Sequence, residues 1–417
     1  MSAFTIDFNI GFIAPSRSGK TSLLYALCYQ LENKLSQKEG YTFKAVGETQ
    51  GKMKLALNEY KANFDIAKKN EQRLFEGKAI KPNQELVQYE FQLYKQAENA
   101  KISPLEINLK FNDYPGGLVN GDGDFTVRET ADLQESFKAC DIMLIPIPAD
   151  AVSAVIMNSG KTDDKAFRNR VNAGMALDTD SVVQSLAKWI NCREKKFGAI
   201  RFVAVKCEHV FHTGQGGVED VSAQDIYDYI KINYYDRVLQ LIPDANKDKL
   251  KFLHIEYCAV DTYGVAVYAG INNADTDAFS SIFKLMKNCP EDLQPLGCVD
   301  ILVSALQFYF AEHKNILKKR LEELELTYAE VSINLIDFVS PVILCGKLIK
   351  KYCRYKDIKD CIALIVLVHQ TFKDISDLSD LGVKNITDRY KVLQCPDWLE
   401  PDDKFDDWLE DQTRRMQ

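Results

Sequence analysis

A chain of 417 residues is too long for one ordinary compact core and short for three, so length sets two units as the prior, one of them enlarged. Hydrophobic residues make up 46% and charged residues 27%, a globular balance that argues against long disordered tracts. A formal net charge of −8 argues against sequence-independent binding to a phosphate backbone, so nucleic acid is not an expected partner.

The opening MSAFTIDFNIGF has no basic stretch ahead of an apolar run and no small-residue cleavage site, so a secretory leader is not expected. Instead Phe4, Ile6, Phe8, Ile10 and Phe12 alternate with more polar neighbours, which predicts a strand. A Gly/Ser-rich turn follows, and from Lys20 to about Leu35 the residues Leu23, Leu24, Ala26, Leu27 and Leu31 predict an amphipathic helix. Leu57, Tyr60, Phe64 and Ala67 share one helical face in a stretch rich in Lys, Glu, Ala and Leu, predicting a helical insertion over about 50–80. Val87-Tyr89-Phe91-Leu93 and Leu105-Ile107-Leu109-Phe111 then alternate as an antiparallel strand pair would.

Cys140 to Pro148, Ile200 to Lys206 and Phe252 to Val260 are short apolar runs separated by helical patterning, notably Ser181 to Lys195. Such runs suit strands buried on both faces, so the expected class is α/β with a doubly wound, mostly parallel sheet. CPEDLQPLGC over 289–298 breaks the pattern and places a boundary between a domain over 1–290 and a mainly helical C-terminal region over 291–417 with an acidic tail. Val339 to Leu344 and Cys361 to Val368 are too short to span a bilayer, so no membrane span is expected. The 11 cysteines include no C-x-x-C pair and the five histidines do not cluster with them, which fits reduced thiols in a cytoplasmic protein.

Ala14-Pro15-Ser16-Arg17-Ser18-Gly19-Lys20-Thr21 matches G-x-x-x-x-G-K-[ST] at every fixed position except the first, between the predicted strand and the predicted helix. Gly19 lets the backbone close around phosphates, Lys20 brings a positive charge to their oxygens, and Thr21 offers a hydroxyl to Mg²⁺. Ser16, Arg17, Ser18 and Ser22 complete the expected cradle at a helix N-terminus. A methyl at Ala14 is tolerable at negative φ and costly at positive φ. Asp113-Tyr114-Pro115-Gly116, followed by Gly117, ends the second strand of the pair as D-x-x-G. There a carboxylate can hold the metal through water and the Gly116 amide can sense a γ-phosphate, although Asp-x-Pro-Gly is also a common turn.

APSRSGKTSLL, FNDYPGG and AVKCE together resemble the first, third and fourth guanine-nucleotide motifs of Ras-like P-loop GTPases, and more narrowly the bacterial double-GTPase or conflict-system families. The resemblance covers about residues 4 to 265 and implies a doubly wound sheet with an antiparallel pair before D-x-x-G, GTP or GDP as ligand, Mg²⁺ as cofactor, and a role in antiviral defence. It assigns Lys20, Asp113 and Gly116 to catalysis, Thr21 and Asp113 to the metal, and Lys206 and Glu208 to the base. Val205 and Glu208 depart from the N/T-K-x-D pattern, and Ala259-Val260-Asp261-Thr262 lies where the family closes over the base.

Several positions keep alternatives open. The switch threonine is either Thr49 or replaced by Asn83-Gln84. Gly117 stands where glutamine would position water, which implies slow turnover or help from Arg17, Arg168, Arg170 or a partner. CEHVFH lacks a second pair of metal ligands, Cys345, Cys353 and Cys361 suit a helical core, and WLEPDDKFDDWLED is either a partner-binding peptide or a capping helix. The expected function is a GTP-dependent switch acting on a protein partner through the insertion or the C-terminal region. A non-cycling nucleotide-bound scaffold and an ATPase with a relaxed base pocket are the rivals.

Overall fold

The computed structural model describes residues 4–15, 18–35, 40–76, 87–95, 105–114, 134–193, 197–212, 221–271, 279–286, 293–323, 358, 361–371, 373–374, 377, 389–396 and 403–416. Strand β1 (Phe4–Phe12) buries Ile6, Phe8, Ile10 and Phe12 on one face, as their alternation predicts. A tight loop leads into α1 (Lys20–Leu35), whose Leu23, Leu24, Leu27 and Leu31 pack against that face. Next come β2 (Tyr41–Ala45), α2 (Thr49–Lys69) and β3 (Leu74–Glu76). Strands β4 (Val87–Lys95) and β5 (Leu105–Asp113) form the antiparallel pair, with Val87 opposite Asp113 and Lys95 opposite Leu105. Strand β6 (Ile142–Pro148) runs directly into α3 (Ala149–Met157), followed by α4 (Asp164–Leu177) and α5 (Thr179–Cys192). Then follow β7 (Gly198–Val205), α6 (Glu208–Phe211), α7 (Ala223–Ile230) and β8 (Leu253–Ala259). The chain continues through β9 (Ala266–Ile271), β10 (Ser281–Leu285), α8 (Cys298–Glu323), β11 (Tyr390–Gln394) and α9 (Asp403–Met416).

Eight strands form one mixed, mostly parallel sheet in the order β11-β8-β7-β6-β1-β5-β4-β2. The central neighbours from β5 through β8 pair in parallel, and the outer pairings β2–β4, β4–β5 and β11–β8 are antiparallel. Every residue of β6, β7 and β8 is buried, which is why their sequences read as unbroken apolar runs rather than alternating ones. One face packs on α1 and α8, and the other on α3, α4, α5 and α7. Over β1, β5 and β4 that second face carries polar side chains such as Asp7, Asn9, Asn108, Lys110 and Gln92, the off-phase partners of the buried set.

The insertion is not helical throughout. Strand β3 joins β10 and β9 in a separate three-stranded sheet. An aromatic cluster seats this sheet, with Phe64 of α2, Phe75, Tyr263, Tyr268 and Phe283 packed together and Phe75 stacked on Phe283 at 5.7 Å. Three residues of strand are fewer than periodicity resolves, so the helical pattern ahead of them dominates the sequence signal.

The described part of 291–417 does not stand apart as its own core. Val299, Leu302, Leu306 and Leu317 of α8, and Phe405 and Leu409 of α9, share one cluster with β1 and α1. Strand β11 extends the main sheet at β8. Buried Arg201 of β7 pairs with Glu256 of β8 at 2.6 Å, while Ser304 of α8 and Tyr390 of β11 also donate to that carboxylate. Among the described residues no helix is long and apolar enough to cross a membrane.

Candidate functional site

Asp113, Asp150, Lys206 and Asp261 lie at or just beyond the carboxyl ends of β5, β6, β7 and β8. In an open α/β sheet that edge is where ligands bind. The loop after β1 opens on the same edge. Ser18 N donates to Pro15 O at 3.3 Å and Leu23 N to Gly19 O at 2.8 Å, closing the chain into α1. Gly19 has φ +98, and a Cβ there would lie 3.2 Å from Val205 Cγ2. Backbone conformation and close packing thus both demand glycine. Ala14 is 6% exposed, and the described non-glycine residues with positive φ are Arg73, Asp178 and Lys206. Alanine at the first motif position is therefore unstrained. Ser18 is 1% exposed with its hydroxyl unpaired among the described residues, a buried polar group that costs about 1–3 kcal/mol while unsatisfied.

Lys20 Nζ lies 2.9 Å from Asp113 Oδ1, with side chains only 12% and 5% exposed. It also donates to the carbonyls of Ala14 at 3.4 Å and Tyr114 at 3.3 Å. Parallel register sets Asp113 beside Phe12, which delivers the carboxylate to the loop that β1 feeds. Thr21 and Ser22 are half-buried in the first turn of α1, where unpaired amides and the helix dipole favour an anion. Buried Tyr114 packs edge-on to Phe137 at 5.3 Å and bonds Ser136 Oγ at 2.9 Å and Cys140 Sγ at 3.2 Å. Burial, then the neighbouring Cys140, raise its phenol far above its ordinary pKa, so it stays neutral.

On the other side, Lys206 takes φ +59, a left-handed conformation that costs a non-glycine residue about 1–2 kcal/mol. The turn is clamped by Cys207 N donating to Val260 O at 3.2 Å and Val260 N to Ala204 O at 2.8 Å. Lys206 Nζ donates to Asp150 Oδ2 at 3.3 Å, and its Cε lies 3.9 Å from where a Cβ of Gly19 would stand. Asp150 is fully buried and also accepts from Ser281 Oγ at 2.5 Å and Ala151 N at 2.9 Å. Glu208 is fully buried too, and neither carboxyl oxygen reaches a partner on another residue among the described ones. Burial first, then the Asp261 and Asp150 carboxylates, push Glu208 well above the usual carboxylate range. Asp261 accepts from the amides of Tyr263 and Gly264 at 2.9 and 2.7 Å and pairs with His212 Nε2 at 2.7 Å.

Lys20, Asp113, Gly19 and Lys206 therefore come together, and Glu208, two residues after Lys206, is out of solvent. Thr49 is held elsewhere, its hydroxyl accepting from Glu90 N of β4 at 2.9 Å. Arg168 and Arg170 lie on α4, donating to Asp164 O and Asn158 O at 3.4 Å each. Ser16, Arg17, Asn83, Gln84, Gly116, Gly117, Cys345, Cys353 and Trp398 fall outside the described residues. Among the described residues no three His, Cys, Asp or Glu side chains gather to hold a metal, and His212 is engaged by Asp261. Trp408 packs on Phe405 within α9.

Sequence reasoning missed Asp150 and Ser281. For Asp150 a signal exists, since it directly follows the apolar run of β6 at the ligand-binding edge. Ser281 offers none. No protein-family model and no curated protein matches this chain.

Proposed function

We propose that this protein is a magnesium-dependent nucleoside-triphosphate switch with slow hydrolysis, GTP being the nucleotide its motif resemblance implies. The observation that carries this reading is the convergence of three distant segments. Lys20 pairs with Asp113 at 2.9 Å, and Gly19 abuts Val205 and Lys206, all at the carboxyl edge of a mostly parallel sheet. The orphaned Ser18 hydroxyl beside them suits a phosphate oxygen. Thr21 and Asp113 offer hard oxygen donors, the set Mg²⁺ takes, and when bound the ion would neutralise charge on the phosphates.

Lys20 then exchanges its carboxylate partner for phosphate oxygens, which frees Asp113. A change at the start of α1 passes directly to the C-terminal region, because Gln30 Oε1 of α1 accepts from Val299 N of α8 at 3.0 Å in a shared core. An adenine nucleotide is the second reading, favoured by glutamate at position 208, where the resembled motif has aspartate, and by the shift of Glu208 toward its protonated form. Guanine's N1–H and N2–H need an acceptor, whereas a carboxylic acid offers one donor and one acceptor, matching adenine's N1 and N6.

Titration with fluorescent GTP and ATP analogues, with and without Mg²⁺, on wild type and Lys20→Ala, tests the reading, with phosphate release followed in the same samples. Selective binding lost in Lys20→Ala with slow release supports the switch. Absence of binding by the wild type sinks it.

A further inference from the structure

The backbone at Lys206 is left-handed although glycine would adopt that conformation without strain, so the position retains its long side chain at a cost. That side chain runs past the phosphate loop, and its ammonium ends on Asp150, which lies 56 residues earlier and is fully buried. The Asp150 carboxylate is itself fixed from three directions. Oδ1 accepts from Ala151 N, and Oδ2 accepts from Ser281 Oγ on the second sheet and from Lys206 Nζ.

The neighbouring carboxyl groups are partnered differently. Lys206 pairs with Asp150 and His212 with Asp261, whereas neither oxygen of Glu208 reaches a hydrogen-bond partner among the described residues.

We infer that Asp150 is a positioning residue of the nucleotide site, holding the Lys206 side chain between the phosphate loop at Gly19 and the turn that carries Glu208. This rests on the nucleotide reading above and extends it to the base side. An anchored ammonium presents the lysine stem to the base in one rotamer, and without Asp150 the side chain loses that anchor.

The test compares two ligands on the full chain with Mg²⁺, namely whichever of GTP and ATP binds more tightly and inorganic tripolyphosphate, which has no base. Asp150→Asn keeps size and the Ser281 bond while removing the charge. It should weaken nucleotide binding by about tenfold, the scale of a lost charge-assisted bond, and leave tripolyphosphate within about twofold. Lys206→Met should give the same split, the double variant should lose no more than either single, and Asp150→Glu should restore most of the affinity. Equal loss of both ligands, no loss, or additive losses in the double variant would overturn the assignment. If Asp150→Asn melts below the assay temperature, Ser281→Ala is read the same way, with about two- to threefold loss of nucleotide alone expected and an unsplit effect refuting it. A wild type that binds neither ligand refutes the nucleotide reading and the Asp150 role together, whereas a wild type that binds both with an unsplit variant refutes Asp150 alone.

Discussion

Acidification from about pH 7.5 to about pH 5 should remove about 2 kcal/mol of stability through one buried histidine. His254 of β8 is 7% exposed and lies parallel to the ring of Phe308 of α8 at 6.3 Å. Its Nε2 is 3.3 Å from Glu256 Oε1 and its Nδ1 3.4 Å from Arg201 Nη2. The neutral ring protonated at Nε2 therefore donates to the carboxylate and accepts from the guanidinium, and a second proton has to enter at Nδ1 against Arg201. Burial is the larger cause of its shift, Glu256 opposes it and Arg201 adds to it, bringing the pKa from 6.5 to about 4. Because the folded value lies below the unfolded one, the contribution is complete above pH 6.5 and is lost as pH falls toward 4. In that window the unfolded chain takes up a proton the folded chain refuses, at about 1.4 kcal/mol per pH unit. Urea unfolding of wild type and His254→Gln across the range isolates this site from carboxylates that titrate in both. The wild type should lose about 2 kcal/mol more than the variant, and equal pH slopes would refute the buried neutral histidine.

Gly19→Ala forces a Cβ into φ +98 and to 3.2 Å from Val205, and should cost about 2 kcal/mol in denaturant unfolding; a cost below about 0.5 kcal/mol would contradict the loop conformation. Asp178 joins α4 to α5 at φ 37 and ψ 50 with no side-chain cap bond, so Asp178→Gly should stabilise by about 0.5–1 kcal/mol, read as a raised Tm. Ser222 and Asp225 form a reciprocal cap at the start of α7, and the bonds from Ser222 lower the Asp225 pKa. Ser222→Ala should cost about 1 kcal/mol and return that carboxyl toward its ordinary titration, followed by NMR.

The legible elements were those with enough residues to show a period. β1 and α1, the β4–β5 pair and the buried runs of β6, β7 and β8 stand where alternation and apolar length predict them. The loop at Ser18 to Thr21 and the carboxylate at Asp113 were legible for a different reason, because glycine and lysine are specified there by local backbone chemistry. Strand β2, the second sheet and β11 were not, since three to six residues paired at an edge carry too little pattern to compete with their neighbours.

By itself, then, the amino-acid order determined the layers and the glycine-containing loop between β1 and α1, whose patterns lie within short stretches of sequence. Tertiary structure alone decided the surroundings of Lys206. Lys206 meets Asp150 because β6 and β7 are in parallel register, with Pro148 opposite Val205, and Ser281 reaches the same carboxylate from the second sheet. The Glu208 pKa is raised through the enclosure those elements create, a property of low dielectric and neighbouring carboxylates that no run of residues around position 208 encodes.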